Sequence, residues 1–416
     1  MKILILGGTG LISTYITQQL LARGDEVWHF NRGQRAGGFG GVSFSGPIHT
    51  IMGDRAQAAQ FEAQMREAPV FDCVIDMIGY APADVESDLR AFAGRCGHLI
   101  FCSTVDVYAH PHPQGALPYR EDAPQAGRNA YAANKAACEA VLSAAGRRGD
   151  LNATIIRPAY TYAEGALILD SLGWRATYLD RLRKGKPIIV HGDGQSLWCA
   201  CHAEDVARAF VNAAGNPVAF GKSYHTAGAE FLTWNQYHLT VAQAIGAPPP
   251  ALTHIPTDAL ARALPSGRMS DAAHWTLTNF QFNNIFDNTA ARRDLDFRYT
   301  IPWAEGARRL ADWLASHGRI ANSDDPTQDT IRDDALIAAW EQACATMQGF
   351  TIDDCQLTIY PVTSSPHNTV NQRRPHDQTE WMEHLGRAAC ERGCSSAHTP
   401  ARDVQPGRSR NRRREG

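Results

Sequence analysis

From the first residue, apolar runs alternate with segments of helical periodicity. Lys2–Leu6 (KILIL) reads as a strand buried on both faces, and Ile12, Ile16 and Leu20 then recur every four residues along one face of a helix. Glu26–Phe30, Thr50–Met52, Cys73–Asp76 and His98–Cys102 are the next short strands expected, separated by helix-length segments such as Pro82–Arg95. A long helix is expected over Asn129–Arg147 and a further strand over Ala153–Arg157, ended by Pro158, which has no N–H to give a ladder. Strand and helix in strict turn imply an α/β fold, a doubly wound parallel sheet with crossover helices on both faces.

After Tyr160 the alternation becomes irregular. A basic turn at Arg183–Lys186 and a Gly-Asp-Gly turn at residues 192–194 point to a smaller, mixed second lobe. The helical pattern Glu204–Ala214 is expected to rejoin the first lobe, and Trp234–Ile245 and Trp303–His317 to be helices of the annex. From about Gln356, Pro, Ser, His, Arg and Gln replace periodic apolar residues, ending in the arginine cluster at 408–414. Such a segment buries too little surface to offset its ordering entropy, so a disordered tail, dispensable for catalysis, is expected. A shifted reading frame near the 3′ end would account for its composition, and a basic arm for RNA or acidic partners is the functional rival.

The 40 Lys and Arg against 43 Asp and Glu give a formal charge of -3, which supplies no global field for phosphate backbones or anionic membranes. Nucleic-acid binding is therefore not expected outside a local patch. No apolar stretch approaches the roughly 20 residues of a bilayer span, and the N-terminus runs into glycines instead of a cleavage site, so a soluble, cytoplasmic protein without a membrane partner is expected. Cys73, Cys96, Cys102, Cys138, Cys199 and Cys201 lie in apolar segments and read as buried thiols in a reducing compartment. Cys390, Cys394 and His398 lack the paired Cys-x-x-Cys of a zinc site, and no metal site is expected.

Directly after the first strand, Gly7-Gly8-Thr9-Gly10-Leu11-Ile12-Ser13 opens the first helix. Glycine at 7 and 10 lets the chain turn tightly and a pyrophosphate approach the helix N-terminus, where free N–H groups and the positive dipole end attract it. Ser13 stands where a third glycine is usual, which sets helix and sheet slightly further apart. Asn31-Arg32-Gly33 ends the second strand without the acidic residue that accepts from ribose hydroxyls, and a guanidinium there favours a 2′-phosphate. NADP is thus favoured over NAD, with Arg32 as a solvated loop charge the alternative. Asp54 is placed to touch the adenine amine or to form a turn. Tyr131 and Lys135 share one helical face, so the ammonium is expected to lower the phenol's pKa and to hold the nicotinamide ribose. The run Phe101–Tyr108, at the mouth of the preceding strand, offers a hydroxyl to orient the reacting oxygen.

Together GGTGLIS, STVDVY, YAANK, RPAYTY and HAEDVA resemble, in order and spacing, the extended short-chain dehydrogenase/reductase family, in its NAD(P)-dependent epimerase/dehydratase branch, over about residues 1–345. The resemblance implies a Rossmann domain over 1–163, rejoined by 200–230, with a substrate lobe from 164–199 and 231–348 and a tail over 349–416. It implies Thr104, Tyr131 and Lys135 as the catalytic set, with Asp106 as a second proton-transfer group where related dehydratases often carry Glu; the neighbouring dehydratase Asp is Val105. Cofactor contacts fall on Gly7, Thr9, Gly10, Leu11, Ile12, Asn31, Arg32, Asp54, Ile78, Tyr131, Lys135 and Pro158. Tyr160 and Trp198 replace the Asn and Arg usual in nucleotide-sugar epimerases, which removes a diphosphate clamp.

Two readings follow. One is an enzyme that oxidises or reduces a hydroxyl/carbonyl carbon of a sugar-like small molecule with NADP or NAD: an epimerase if the hydride returns, a reductase if the cofactor exchanges. A homodimer is compatible with it. The other is an RNA-associated protein, since the pattern is also similar to chloroplast stem-loop-binding proteins, which carry an Arg-Gly pair after the second strand, as in Arg32-Gly33.

Overall fold

Six strands, β1 (Lys2–Leu6), β2 (Glu26–Asn31), β3 (Ile48–Met52), β4 (Phe71–Asp76), β5 (Cys96–Cys102) and β6 (Ala153–Pro158), form one parallel sheet with a seventh at Ser223–Thr226. The computed structural model describes residues 1–35, 37–264, 275–328 and 333–348. The expected tail therefore lies outside the described residues, as do Cys390, Cys394 and His398. Strand order across the sheet is Ser223–Thr226, β6, β5, β4, β1, β2, β3. Chain direction across the sheet reverses between β1 and β4, the crevice where open parallel sheets hold ligands.

Period two in β1 explains the layers. Ile3 and Ile5 enter one core with Ile16 and Leu20 of helix α1 (Leu11–Arg23) and with Val206 and Phe210 of the helix Ala203–Ala213. Leu4 and Leu6 enter the opposite core with Phe61 of α2 (Ala58–Glu67), Phe92 of α3 (Pro82–Phe92) and Leu142 of α4 (Ala130–Arg148). All four β1 side chains are completely buried, which stabilises by about 1.5–3 kcal/mol each. The strand Ser223–Thr226 is the element that hydropathy does not reveal, because its Ser-Tyr-His-Thr run is polar. Its buried His225 is satisfied by the Tyr108 hydroxyl and the Asp287 carbonyl.

Helix α4 carries the Tyr131/Lys135 pair. It starts where Asn129 Oδ1 accepts from Ala132 N at 2.8 Å, and ends at Gly149 in the left-handed region. Its register against the sheet is held by Glu139, which takes two bonds from Arg157 of β6, at 2.9 and 2.6 Å, and one from Ser103.

A second hydrophobic core, rich in aromatic residues, gathers Tyr162, Tyr178, Trp198, Trp234, Tyr237, Phe280 and Trp303, with the helices Trp234–Ala244 and Trp303–Ser316 packed together. Thr276–Phe280 forms a single π-helical turn at its edge. The helix Asp333–Gln348 is tied down by Asp333, whose carboxylate meets Arg175 at 2.5 Å and Arg181 at 3.0 Å. Among the described residues no helix is long and apolar enough to cross a membrane. Cys73, Cys102, Cys138, Cys199 and Cys201 are buried free thiols, while Cys96 is partly exposed.

Candidate functional site

The glycine turn lies at the carboxyl end of β1. Gly7 has φ +84°, and a Cβ there would come 2.4 Å from Ile78 Cγ2, so only glycine fits. Ser13 does more than space the helix from the sheet: completely buried, its hydroxyl donates to Gly7 O at 2.7 Å and accepts from Gly10 N at 2.8 Å, closing the turn that a third glycine would leave open. Beside it opens a cleft of about 520 Å³, lined by Gly7, Thr9, Gly10, Asn31, Arg32, Asp54 and Ile78. Leu11 and Ile12, half-buried at the start of α1, and Pro158, buried at the end of β6, are not among the residues lining it.

Arg32 stands exposed on the cleft rim. Asn31 is occupied locally, its Oδ1 accepting from Gly33 N at 2.8 Å, and Asp54 shapes its own turn through Ala56 N at 3.0 Å while lining the cleft. The cleft holds two further guanidiniums that sequence reasoning missed: Arg35, whose Nη1 donates to Thr9 O at 3.0 Å, and Arg55, buried against the Asp88 carboxylate at 2.6 Å. Also missed was Asp76, the last residue of β4, which turns the Ile78 loop by accepting from Ile78 N and Gly79 N at 2.8 and 2.9 Å. An acidic residue at a strand's carboxyl end was the available signal.

At the mouth of β5 the Thr104 Oγ1 accepts from Asp106 N at 3.2 Å, and its hydroxyl lies near enough to the Tyr131 phenol to bear on its ionisation. Lys135 is buried, and its Nζ donates to Gly79 O at 2.8 Å and Cys102 O at 2.6 Å, 6.0 Å from the centre of the Tyr131 ring. The expected lowering of the phenol's pKa is corrected by this arrangement. Burial, and then the charge of Asp106, raise it against the lowering effect of the Thr104 hydroxyl, and the ammonium is committed to the two carbonyls.

Asp106 completes the group. Its carboxylate accepts from Asn279 Nδ2 at 2.5 Å, and burial pushes its pKa up to about 6 against the lowering effect of bonds from Thr104 and Asn279. Asn279 belongs to the π turn and was missed, since nothing in its local pattern separates it from a helical surface position. Thr104 and Asp106 also line a chamber of about 100 Å³ walled by Tyr160, Trp198, Trp275, Phe280 and Phe286, with Asn279 and Asn284 beside them. The segment around Asn284, to which the sequence assigned no chemistry, thus reaches the candidate site.

Comparison with known proteins shows the family. A curated relative, the chloroplast stem-loop binding protein of 41 kDa b from Arabidopsis thaliana, is 30% identical over 61% of this chain, and the match spans 65% of that protein, short of two thirds of its length. The 2'-dehydrokanamycin reductase of Streptomyces kanamyceticus is 22% identical over 78% of this chain and 87% of its own. Among solved structures, a dTDP-glucose 4,6-dehydratase from Streptomyces venezuelae, with NAD and TYD bound, shares the fold at TM-score 0.59 and 20% identity, covering 76% of this chain and 97% of that one. Residues 3–226, from β1 through the edge strand Ser223–Thr226, match as a unit, and the chain belongs to the NAD dependent epimerase/dehydratase family of enzymes.

Proposed function

We propose that the protein transfers hydride between a nicotinamide dinucleotide and a hydroxyl-bearing or carbonyl carbon of a sugar-like substrate, through Thr104, Tyr131 and Lys135. The observation that carries this reading is Lys135, buried with its Nζ donating to Cys102 O at the mouth of β5 and to Gly79 O between the cleft-lining Ile78 and Tyr80, 6.0 Å from the Tyr131 ring, with Thr104 on the wall of the chamber. The chain fits the dinucleotide: Gly7 and Gly10 line the cleft with no side chain between it and the backbone, and Gly10 caps the N-terminus of α1 there. Arg32 and Arg35 on the rim favour NADP, while the solved dehydratase holds NAD.

The nicotinamide, when bound, accepts or returns the hydride. Thr104 and Tyr131 hold the reacting oxygen, and Tyr131 moves its proton. A phenol kept protonated by burial is ready to act as the acid in carbonyl reduction, the direction named for the aminoglycoside relative. Lys135, fixed between two carbonyls, positions the mouth of β5 and bonds the ribose in the bound state. Asp106 is the second proton-transfer group. The test is release of dinucleotide by denaturing purified protein, followed by turnover assays of wild type and Tyr131→Phe. An active Tyr131→Phe protein sinks the assignment.

One observation favours a second reading, RNA association, namely the 30% identity to a chloroplast stem-loop binding protein. The net charge of -3 weighs against it. Salt-dependent retention of the full chain on a stem-loop RNA, unaffected by Tyr131→Phe, would support it.

A further inference from the structure

We infer that Arg55 is a positioning residue: its guanidinium is the counter-charge of a carboxylate clamp on residues 78–81, and through that segment it sets both the dinucleotide cleft and the Lys135 ammonium. This rests on the hydride-transfer reading above. The segment runs from the carboxyl end of β4 into α3 and touches both places. Ile78 packs against the glycine turn, its Cγ2 2.4 Å from where a Cβ on Gly7 would stand. Gly79 O accepts from Lys135 Nζ at 2.8 Å, and the centre of the Tyr80 ring lies 4.9 Å from the same ammonium.

Four consecutive backbone N–H groups of the segment are held by two carboxylates. Asp76 Oδ1 accepts from Ile78 N at 2.8 Å and from Gly79 N at 2.9 Å, and Asp84 Oδ2 accepts from Tyr80 N at 2.8 Å and from Ala81 N at 2.9 Å. A connecting segment has no ladder to satisfy its N–H groups, so these side chains fix its path. The fit is close: a Cβ at Gly79 would come 2.3 Å from Asp76 Oδ2.

The clamp gathers negative charge away from water. Asp76 and Asp88 are completely buried, and Asp84 is half-buried. Arg55, itself buried, brings Nη1 to 2.6 Å from Asp88 Oδ1 and donates from Nη2 to the Asp84 carbonyl, with its Cζ 4.1 Å from the centre of the Phe61 ring. Burial acts to lower the guanidinium's pKa, but the charges of Asp88, Asp76 and Asp84 raise it. Burial and then the charge of Asp76 push the pKa of Asp88 up, with Arg55 opposing. Without the cation, the clustered carboxylates repel one another where solvent screens them little. Arg55 lines the cleft, yet its Nε and Nη1 are buried from solvent and its Nη2 is engaged by Asp84, so it serves the clamp and leaves a cofactor phosphate to Arg32 and Arg35.

The experiment uses the full chain, with NADP and NAD as probes. In the wild-type protein the amides of residues 78–81 are expected to exchange hydrogen slowly, and exchange at the rate of free amides would overturn the inference whether or not any variant folds. Arg55→Met is expected to weaken binding of the preferred dinucleotide about tenfold, the loss of a charge-assisted contact. Adding Asp88→Leu removes the other partner of the buried pair, an apolar replacement that is often neutral for stability, so the unfolding midpoint should return towards wild type. Dinucleotide affinity should stay low in this double variant, with faster exchange at 78–81 and more labelling of Lys135 by an amine-acylating reagent, because Asp76 and Asp84 still lack their counter-charge. Affinity, exchange and labelling that recover together with the midpoint would show that Arg55 only stabilises the fold, and would overturn the inference. Wild-type affinity in a folded Arg55→Met protein would do the same. Failure of the wild-type protein to bind either dinucleotide, or turnover by Tyr131→Phe, would instead sink the hydride-transfer reading, while exchange and Lys135 labelling still judge the clamp.

Discussion

Replacing Asp333 by asparagine is expected to cost about 3 kcal/mol of stability and to loosen the candidate substrate chamber. Asp333 is the first residue of the helix Asp333–Gln348 and is 4% exposed. Its carboxylate lies 2.5 Å from Arg175 Nη1 and 3.0 Å from Arg181 Nε, the second contact lacking hydrogen-bond geometry. Removing one partner of a buried ion pair costs about 3–5 kcal/mol, since a desolvated charge is left behind. The lower end applies because Arg175 keeps Asp170 at 2.6 Å, and Arg181 keeps Asp334 and the Pro187 carbonyl, both at 2.8 Å. Urea unfolding, with its slope unchanged, measures the loss. Trp174, which lines the chamber, immediately precedes Arg175, so KM for the substrate should rise while dinucleotide affinity holds. Asp334→Asn is the control: Asp334 is exposed, and such pairs contribute about 0–1 kcal/mol. A loss below about 1 kcal/mol for Asp333→Asn, or equal losses for both, would show that the buried network does not hold this helix.

Tyr131→Phe is expected to abolish turnover while leaving dinucleotide binding within a few-fold, read by steady-state kinetics and titration, because the phenol moves the proton and the glycine turn holds the cofactor. For Asp106, burial raises the folded pKa to about 6 from the ordinary carboxylate range, so the native state takes up a proton between about pH 6 and pH 4 before the unfolded chain does. This group's contribution to stability therefore rises as pH falls through that window, and Asp106→Asn should flatten the difference between unfolding midpoints at pH 7 and pH 5. Asn31→Asp with Arg32→Ala should shift preference from NADP towards NAD by more than about tenfold, the loss of one charge-assisted contact. Unaltered selectivity would mean that Arg35 carries the discrimination, to be checked with Arg35→Ala.

What the residues determine locally, the sequence shows. The β1 run, the glycine turn, the Asn129-capped helix carrying Tyr131 and Lys135, and the doubly wound sheet all rest on interactions within a few residues or on period-two and period-four burial, so they are legible without coordinates. The strand Ser223–Thr226 is not, because its polar side chains are satisfied by Tyr108 and Asp287, distant in the chain. The same holds for the environment of each candidate catalytic group. An i, i+4 ammonium predicts a lowered phenol pKa, but the fold places the Gly79 and Cys102 carbonyls on Lys135 and a buried carboxylate near Tyr131, and the direction reverses. Asn279 lies 173 residues from Asp106 and becomes its partner only when the second core packs over the sheet. Hydrogen-bond partners and desolvation are set by side chains that meet across the tertiary structure, which one-dimensional spacing does not encode.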